Sequence, residues 1–314
     1  MRSIPSLRAL CSVATEGGFS SAAAALGITQ SAVSQHVAAL ERQAGVALVV
    51  RGTRPVELTA AGLVLVAHGE ALFGRLADAE RDLDEVIGRG ARLLRLGSFP
   101  TALATFVPRA VARLRAELPS ATVSITDDHM QGLLPRLQRR ELDVAVVFGS
   151  EPDLGGLGEG LVVSPLFSDR YRVLVPATHR LAGRDREPTL RDLRAEAWIG
   201  GGPRSSWFVP VRDACRAQGF EPRVHLVSDD YLAVQAFVAA GLGVAVVPGL
   251  AGARHISGVR VREVRGQAPA RHVGVAHPSG PVVPVATAAF LRVVRGVTET
   301  RRREVRTSRG EARP

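Results

Sequence analysis

Four short polar side chains stand close together near the N-terminus, as Gln30, Ser31, Ser34 and Gln35. Their spacing puts them on one face of a helix, opposite the apolar residues Val33, Val37 and Leu40. Amides of this kind pair with adenine in the major groove of DNA, and hydroxyls reach bases or phosphates. An ordinary solvated helix face would show the same pattern, so this face alone leaves both interpretations open.

The surrounding residues predict short helices that would hold this polar face in place. A first helix ends near Gly17, a second runs from Ser20–Ser21 to Leu26, and Gly27 then turns the chain. Thr29 caps the third helix, which carries the polar face. Two helices joined by a short turn with glycine form the helix-turn-helix arrangement.

A short β-hairpin is predicted directly after the third helix. Residues 48–50 and 56–58 have the composition of two strands, and the tight loop 51–55 joins them. Arg54 lies at the tip of this wing, where its guanidinium can enter a narrow minor groove of DNA. A solvated turn arginine is the alternative when the wing is considered alone.

Residues 1–60 resemble the winged helix-turn-helix of LysR-type transcriptional regulators. The motifs that carry the resemblance are Phe19-Ser20-Ser21-Ala22-Ala23, Thr29-Gln30-Ser31-Ala32-Val33-Ser34, Leu40-Glu41 and Leu58-Thr59-Ala60-Ala61-Gly62. The resemblance implies that Gln30, Ser31, Ser34 and Gln35 face bases or phosphates, with Arg54 in the wing. Leu10 and Val49 stand where the family usually has phenylalanine, which alters packing. Gln35 stands where many members carry arginine, so weaker phosphate anchoring is expected there.

Residues 59–88 are predicted to form one long helix with a narrow apolar stripe. The stripe has the spacing of a coiled coil and consists of Leu72, Leu76, Ala79, Leu83 and Val86. Gly69 at a further stripe position and the acidic residues nearby argue for a modest interface. Packing against the chain's own body would bury the stripe as well. In the LysR family this segment is the dimerisation linker, so the resemblance implies a homo-oligomer.

The C-terminal two thirds alternate between strand and helix patterns, as in a parallel sheet covered by helices. The first set has strands at 93–96, 122–126 and 144–148 and a helix over 102–117. A second set follows, with crossovers between the two sets near Val162 and Ala268. Two lobes joined in this way resemble the effector domain of the same regulators, which is shared with periplasmic binding proteins.

Ligands of such sheets bind beyond the carboxyl ends of the strands, so the loops there hold the candidate effector residues. These are Ser98, Thr101, Phe148, Arg204, Trp207 and Ser228, with His129 and Asp229 in second rank. The loop 97–101 offers N–H groups, hydroxyls and a helix N-terminus, which suit a carboxylate. Arg204 would clamp the same carboxylate, and Trp207 would stack on a ring. An ordinary capped turn is the alternative for each loop.

Composition limits the classes of protein to which the chain can belong. Its 314 residues include 40 basic ones, all arginine, and no lysine or asparagine, which indicates a GC-rich coding sequence. The net charge of +10 lies outside the first domain, because residues 1–90 hold 8 arginines against 9 acids. Abundant arginine is therefore weak evidence for a DNA partner. The two cysteines, Cys11 and Cys215, are too few for a disulfide framework and are expected to be buried.

No sequence motif indicates catalysis, a cofactor or a metal site: a P-loop, a nucleophile elbow and a closely spaced Cys/His set are all missing. The uncharged run 236–253 is broken by Gly241, Gly243 and Pro248, which favours a helix and a buried strand over a membrane span. With no targeting signal visible, a cytoplasmic protein is expected. The arginine-rich tail 301–314 is predicted to be disordered.

The sequence thus predicts an α/β protein with an N-terminal all-α winged helix-turn-helix (1–60), a long linker helix (61–90) and a two-lobed, doubly wound effector-binding domain (91–300). Lobe I spans 91–162 and 269–300, and lobe II spans 163–268. The predicted function is a sequence-specific DNA-binding transcriptional regulator, not an enzyme, modulated by a small molecule bound between the lobes. Double-stranded DNA, the effector and further copies of the chain are the expected partners. A two-lobed solute-binding protein or an enzyme is the alternative.

Overall fold

The structure, a computed structural model, describes residues 3–50, 52, 55–86, 92–158, 160–183, 186–280 and 282–310. The chain divides into two units, with the boundary along the sequence near residue 90. The first unit is mainly helical, and the second is built on a mixed β-sheet.

The N-terminal unit is a winged helix-turn-helix followed by one long helix. Its elements are α1 (Ile4–Glu16), α2 (Phe19–Leu26), α3 (Gln30–Ala44), β1 (Val49–Val50), β2 (Glu57–Leu58) and α4 (Ala60–Val86). Gly17 and Gly27 end α1 and α2 with φ of 68° and 66°, a left-handed conformation that glycine adopts without strain. The two predicted helix stops are therefore observed.

A small apolar core holds these helices and the hairpin together. Leu10, Val13, Val33 and Leu48 are fully buried in it. A Cβ at Gly62 would collide with the carbonyl oxygen of Leu48, so this glycine lets the start of α4 approach the hairpin closely.

The second half of α4 leaves its apolar stripe exposed in the single chain. Leu72, Leu76 and Leu83 are 47 %, 46 % and 61 % exposed. The segment Ala60–Ala77 is also long and apolar enough to cross a membrane, by length and composition only. An exposed apolar stripe of coiled-coil spacing is a surface that another helix can cover.

Gly69 does not belong to this exposed stripe, contrary to the prediction. A Cβ at Gly69 would lie 2.6 Å from Sγ of Cys11 and 3.1 Å from the side chain of Leu7. The first half of α4 therefore packs against α1, and glycine at this position permits the close approach. It does not weaken the stripe formed by the second half.

The C-terminal unit consists of two α/β lobes. Lobe I contains β3 (Arg92–Ser98), α5 (Pro100–Leu103), α6 (Val107–Glu117), β4 (Ala121–Asp127), α7 (Met130–Gln138) and β5 (Val144–Gly149). The long strand β6 (Leu161–Pro176) leads to lobe II, which contains β7 (Ala197–Gly200), α8 (Val209–Ala217), β8 (Arg223–Val227), α9 (Tyr231–Ala239), β9 (Ala245–Pro248), α10 (Gly249–Gly252) and β10 (Val259–Glu263). The chain returns to lobe I through β11 (Ala270–Pro278) and α11 (Val285–Gly310).

Two neighbouring strands connect the lobes. In the main sheet the strand order is β10-β6-β11-β5-β3-β4, with β9 also paired to β6. Strands β3, β4 and β5 are parallel, whereas β11 is antiparallel to both β5 and β6. The sheet is mixed because β6 runs from lobe I to lobe II and β11 runs back in the opposite direction, which makes their pairing antiparallel. The predicted fold class, with a helix-turn-helix and a two-lobed α/β domain, is confirmed.

Three local differences from the sequence-based expectation have physical reasons. The helix expected over 102–117 is two helices, because Pro108 lacks an N–H and fits only the first turn of α6. The short elements α10 and β10 carry no strong periodicity and were not predicted. Helix α11 continues through Gly310, although disorder was predicted from position 301, because arginine and glutamate are good helix formers. Residues 311–314 lie outside the described residues.

Candidate functional site

The polar face of α3 is exposed, as the sequence predicts. Its four side chains, Gln30, Ser31, Ser34 and Gln35, are all on the surface. The opposite face buries Val33, Val37 and Leu40. The side chain of Thr29 accepts a hydrogen bond from the N–H of Ala32 and caps the helix at the end that carries the polar face.

Part of this face lies in a concave surface of about 860 Å³ between α2, α3 and the hairpin. Gln30 and Ser34 line it together with Ser20 and Ser21 at the start of α2 and with Gly52. The predicted residues Ser31 and Gln35 are exposed outside this concave surface. The surface thus brings the N-terminal ends of two helices, where backbone N–H groups lack helical partners, to one place.

Two side chains fix the hairpin relative to α3 and α4. Oε1 of Glu41 accepts a hydrogen bond from the N–H of Leu48 at 2.9 Å. The hydroxyl of Thr59 donates to the carbonyl oxygen of Ala47 at 2.7 Å. Arg54, the predicted wing residue, lies outside the described residues.

A second cavity of about 590 Å³ lies between the two lobes of the C-terminal unit. Four of the predicted effector residues line it: Thr101, Phe148, Arg204 and Trp207. His129 and Asp229, the second-rank candidates, line it as well. The loops after β3, β4, β7 and β8 and the end of β5 therefore meet at one place, as the rule for the carboxyl ends of strands requires.

Ser98 and Ser228 do not line this cavity. Ser98 is the last residue of β3 and is fully buried, with its hydroxyl near the carbonyl oxygen of Phe99. The hydroxyl of Ser228 accepts a hydrogen bond from the N–H of Asp230 at 3.2 Å and so shapes the turn before α9. Ser98 faces the core because side chains alternate along a strand, whereas Ser228 lies in the turn after β8.

Arg271, which the sequence analysis did not single out, lines the cavity from strand β11. It is only 4 % exposed. Its Nε donates to Oδ2 of Asp169 at 2.9 Å, and its Nη2 donates to the hydroxyl of Thr101 at 2.7 Å. Its guanidinium also lies over the rings of Phe99 and Phe148, 4.9 and 4.8 Å from their centroids.

One nitrogen of this guanidinium has no hydrogen-bond partner among the described residues. Arg271 lines the cavity, and its Nη1 donates no hydrogen bond to any residue that the structure describes, whereas Nε and Nη2 both do. The sequence does contain one signal for this residue: Arg271 is the single charged side chain in the strand 270–278. A charge in a buried strand needs a specific partner, so such a residue is a candidate for a structural or binding role.

In lobe II the cavity loop is fixed by one carboxylate. Oδ1 of Asp229 accepts hydrogen bonds from the hydroxyl of Ser205 at 2.6 Å and from Nε1 of Trp207 at 2.9 Å. A Cβ at Gly201 would lie 2.5 Å from Cβ of Ser205 and 2.9 Å from Oδ1 of Asp229. Glycine at position 201 therefore lets the loop fold back onto Asp229.

Two further features describe the chemistry of the cavity: the charge state of a tyrosine and the lack of a metal-binding group among the described residues. Burial raises the pKa of Tyr231, which also lines the cavity, well above its ordinary value, so its phenol stays neutral. Within the described residues, no group of three or more His, Cys, Asp and Glu side chains is arranged to hold a metal ion.

Comparison with known proteins identifies both units. Residues 4–63 match the bacterial regulatory helix-turn-helix protein of the lysR family, and residues 88–299 match the LysR substrate binding domain. The chain belongs to the LysR family. This LysR-family protein is a DNA-binding transcriptional regulator with an effector-binding domain, and its partners are DNA and a small-molecule effector.

Named relatives of the regulator support this assignment. It is 35 % identical over 186 residues to a probable hydrogen peroxide-inducible genes activator of Mycobacterium xenopi, covering 58 % of this chain and 94 % of that protein. It is 28 % identical over 235 residues to the HTH-type transcriptional regulator CbbR of Rhodospirillum rubrum, covering 75 % of this chain and 76 % of that protein. These relatives are named as regulators and not as enzymes.

Solved structures show the same fold. Full-length OxyR from Pseudomonas aeruginosa has a TM-score of 0.69 and 23 % identity to this LysR-family regulator, covering 94 % of this chain and 98 % of that one. Full-length CbnR complexed with its target DNA has a TM-score of 0.61 and 23 % identity, covering 94 % and 99 %.

Proposed function

We propose that this regulator responds to a small carboxylate bound in the cavity between its lobes. Arg271 is the observation that carries the proposal, because a buried arginine that lines a cavity and has one nitrogen without a partner among the described residues attracts an anion. Thr101 supplies a hydroxyl beside it, and Arg204 adds a second positive charge at the opposite loop. Phe148 and Trp207 give the apolar surface that the rest of a small organic acid needs.

For DNA we propose that the exposed face of α3 contacts bases and phosphates in the major groove. Gln30, Ser31, Ser34 and Gln35 are short donors and acceptors at the start of a helix, the part that enters the groove in this motif. Arg54 would then lie in the adjacent minor groove. Replacing Arg54 by alanine is expected to lower affinity and the salt dependence of binding together.

We propose further that the stripe of Leu72, Leu76, Ala79, Leu83 and Val86 on α4 joins two copies of the chain. The exposure of Leu72, Leu76 and Leu83 in the single chain supports this, because water-exposed leucines at coiled-coil spacing gain free energy when another helix covers them. The regulator would act in the cytoplasm, without catalysis and without a cofactor.

Footprinting on the upstream DNA of the regulator's own gene tests the effector proposal. Benzoate and other small carboxylates would be compared with their uncharged amides, such as benzamide. A carboxylate that binds should shift the DNA affinity by about 5–150-fold, the range of a coupling of about 1–3 kcal/mol. An amide that is as effective as its acid would overturn the carboxylate assignment. A protein that binds no upstream DNA at all would favour a solute-binding protein or an enzyme.

A further inference from the structure

Two adjacent serines at the start of α2 form different hydrogen bonds. The hydroxyl of Ser20 donates to Oε1 of Gln30 on α3 at 3.2 Å. The hydroxyl of Ser21 instead donates to the carbonyl oxygens of Glu16, at the end of α1, and of Gly18, just before α2, both at 3.0 Å. Of the two serines, Ser20 is therefore the one that holds a side chain of the proposed base-reading face.

The contact matters because a glutamine carboxamide has two chemically different ends. A free carboxamide can rotate and present either its oxygen, which accepts, or its nitrogen, which donates. Ser20 engages the oxygen of Gln30, so the nitrogen with its two N–H groups is the end left for another partner. Both residues are exposed and line the same concave surface.

We infer that Ser20 is a specificity-determining residue of the DNA site that positions Gln30 to donate to a base. This inference rests on the proposed function, in which Gln30 contacts a base. In the major groove, guanine, adenine and thymine offer acceptor atoms, whereas cytosine offers the N4 donor. With its oxygen held by Ser20, Gln30 discriminates against cytosine at the position it faces.

In vitro selection from a random duplex library, with the full-length protein, tests this inference. Selected sequences are compared for the wild type, Ser20→Ala, Ser20→Thr and Ser21→Ala. Loss of one hydrogen bond of about 0.5–1.5 kcal/mol corresponds to a loss of base preference of about two- to tenfold. We expect Ser20→Ala to lose that preference at a single base pair while the rest of the selected site is unchanged.

Ser20→Thr keeps the hydroxyl and should retain the wild-type preference. Ser21→Ala removes an adjacent hydroxyl that does not touch Gln30 and should also leave the preference unchanged. A purely structural role of Ser20 would instead lower affinity for all sequences alike, and that result would overturn the inference. Thermal unfolding of each variant, followed by circular dichroism, identifies any loss of the folded domain.

The variant Gln30→Ala distinguishes the base contact of Gln30 from the positioning role of Ser20. If Gln30→Ala loses the preference at that base pair while Ser20→Ala keeps it in full, the inference about Ser20 is wrong and the proposed base contact stands. If Gln30→Ala weakens selected and random DNA equally, the base-reading role of Gln30 itself is wrong.

Discussion

Arg271 and Asp169 form an ion pair on the two strands that connect the lobes. Nε of Arg271 lies 2.9 Å from Oδ2 of Asp169, and the two residues are 4 % and 6 % exposed. Asp169 also accepts a hydrogen bond from the N–H of Leu250 at the start of α10, whereas Arg271 donates to Thr101 in lobe I. The pair therefore joins groups of both lobes beside the cavity.

Removing the arginine should destabilise the effector domain strongly. Arg271→Met removes the buried cation that pairs with the carboxylate of Asp169, and breaking a buried ion pair typically costs about 3–5 kcal/mol of unfolding free energy. Urea unfolding followed by tryptophan fluorescence measures this domain alone, because both tryptophans of the chain, Trp198 and Trp207, lie in it. Adding Asp169→Asn removes the buried charge and keeps an acceptor for Leu250, so the double variant should recover part of the loss. A double variant no more stable than Arg271→Met would contradict the ion-pair explanation.

Two glycines of lobe II should differ in their tolerance of a methyl group. Gly201→Ala places a Cβ against Ser205 and Asp229, so it should displace the loop and weaken effector binding. Gly183→Ala, on the surface of lobe II and outside the cavity, meets no atom within 4 Å and should bind as the wild type does. Calorimetric titration with an effective carboxylate compares the two variants. Equal affinities would show that the contact between the loop and Asp229 does not shape the site.

A charge in the exposed stripe of α4 should dissociate the oligomer. Leu76→Asp places a carboxylate where the partner helix is expected to pack. Losing one buried leucine costs about 1.5–3 kcal/mol, a rise of about tenfold or more in the dissociation constant. Ala71→Asp puts the same charge on the exposed surface of the same helix, away from the stripe, and should leave the oligomer intact. Sedimentation equilibrium measures both, and equal behaviour of the two variants would argue for another interface.

The two cysteines should react slowly in the folded protein, although several relatives are named as hydrogen peroxide-inducible genes activators. Burial raises the pKa of Cys11 to about 11 and that of Cys215 to about 12, so little of the reactive thiolate exists near pH 7. Ellman's reagent should modify both thiols only after unfolding in urea. Rapid oxidation by peroxide together with an altered footprint would indicate a thiol sensor instead.

The same shifts set the direction of a pH effect on stability. An unfolded thiol ionises near the ordinary value of 9.0, before the buried Cys215 does. Its contribution to stability is therefore complete below pH 9 and is lost as the pH rises from 9 towards 12. Cys215→Val should make the fall of the unfolding free energy in this range less steep. An unchanged slope would show that Cys215 does not contribute.

Local sequence patterns predicted the DNA-binding unit well. The helix stops at Gly17 and Gly27, the cap at Thr29 and the exposed face at Gln30 depend on residues close together in the chain, and glycine or hydroxyl chemistry specifies them directly. Gly69 shows the limit of this approach. The spacing of apolar residues placed Gly69 in the exposed stripe of α4. In the structure it instead faces α1, and the spacing alone cannot show which helix α4 packs against.

By itself, the sequence determined the order of the domains, the type of most elements and the polar face of α3, because these follow from periodicity, caps and motifs within short segments. Only the tertiary structure decided which residues share the effector cavity. It placed Arg271 beside Thr101, 170 positions away in the chain, and turned Ser98 into the core. The reason is that the pairing of β11 with β6 and β5 sets these neighbours, and a pattern within one strand does not show which distant strands lie beside it.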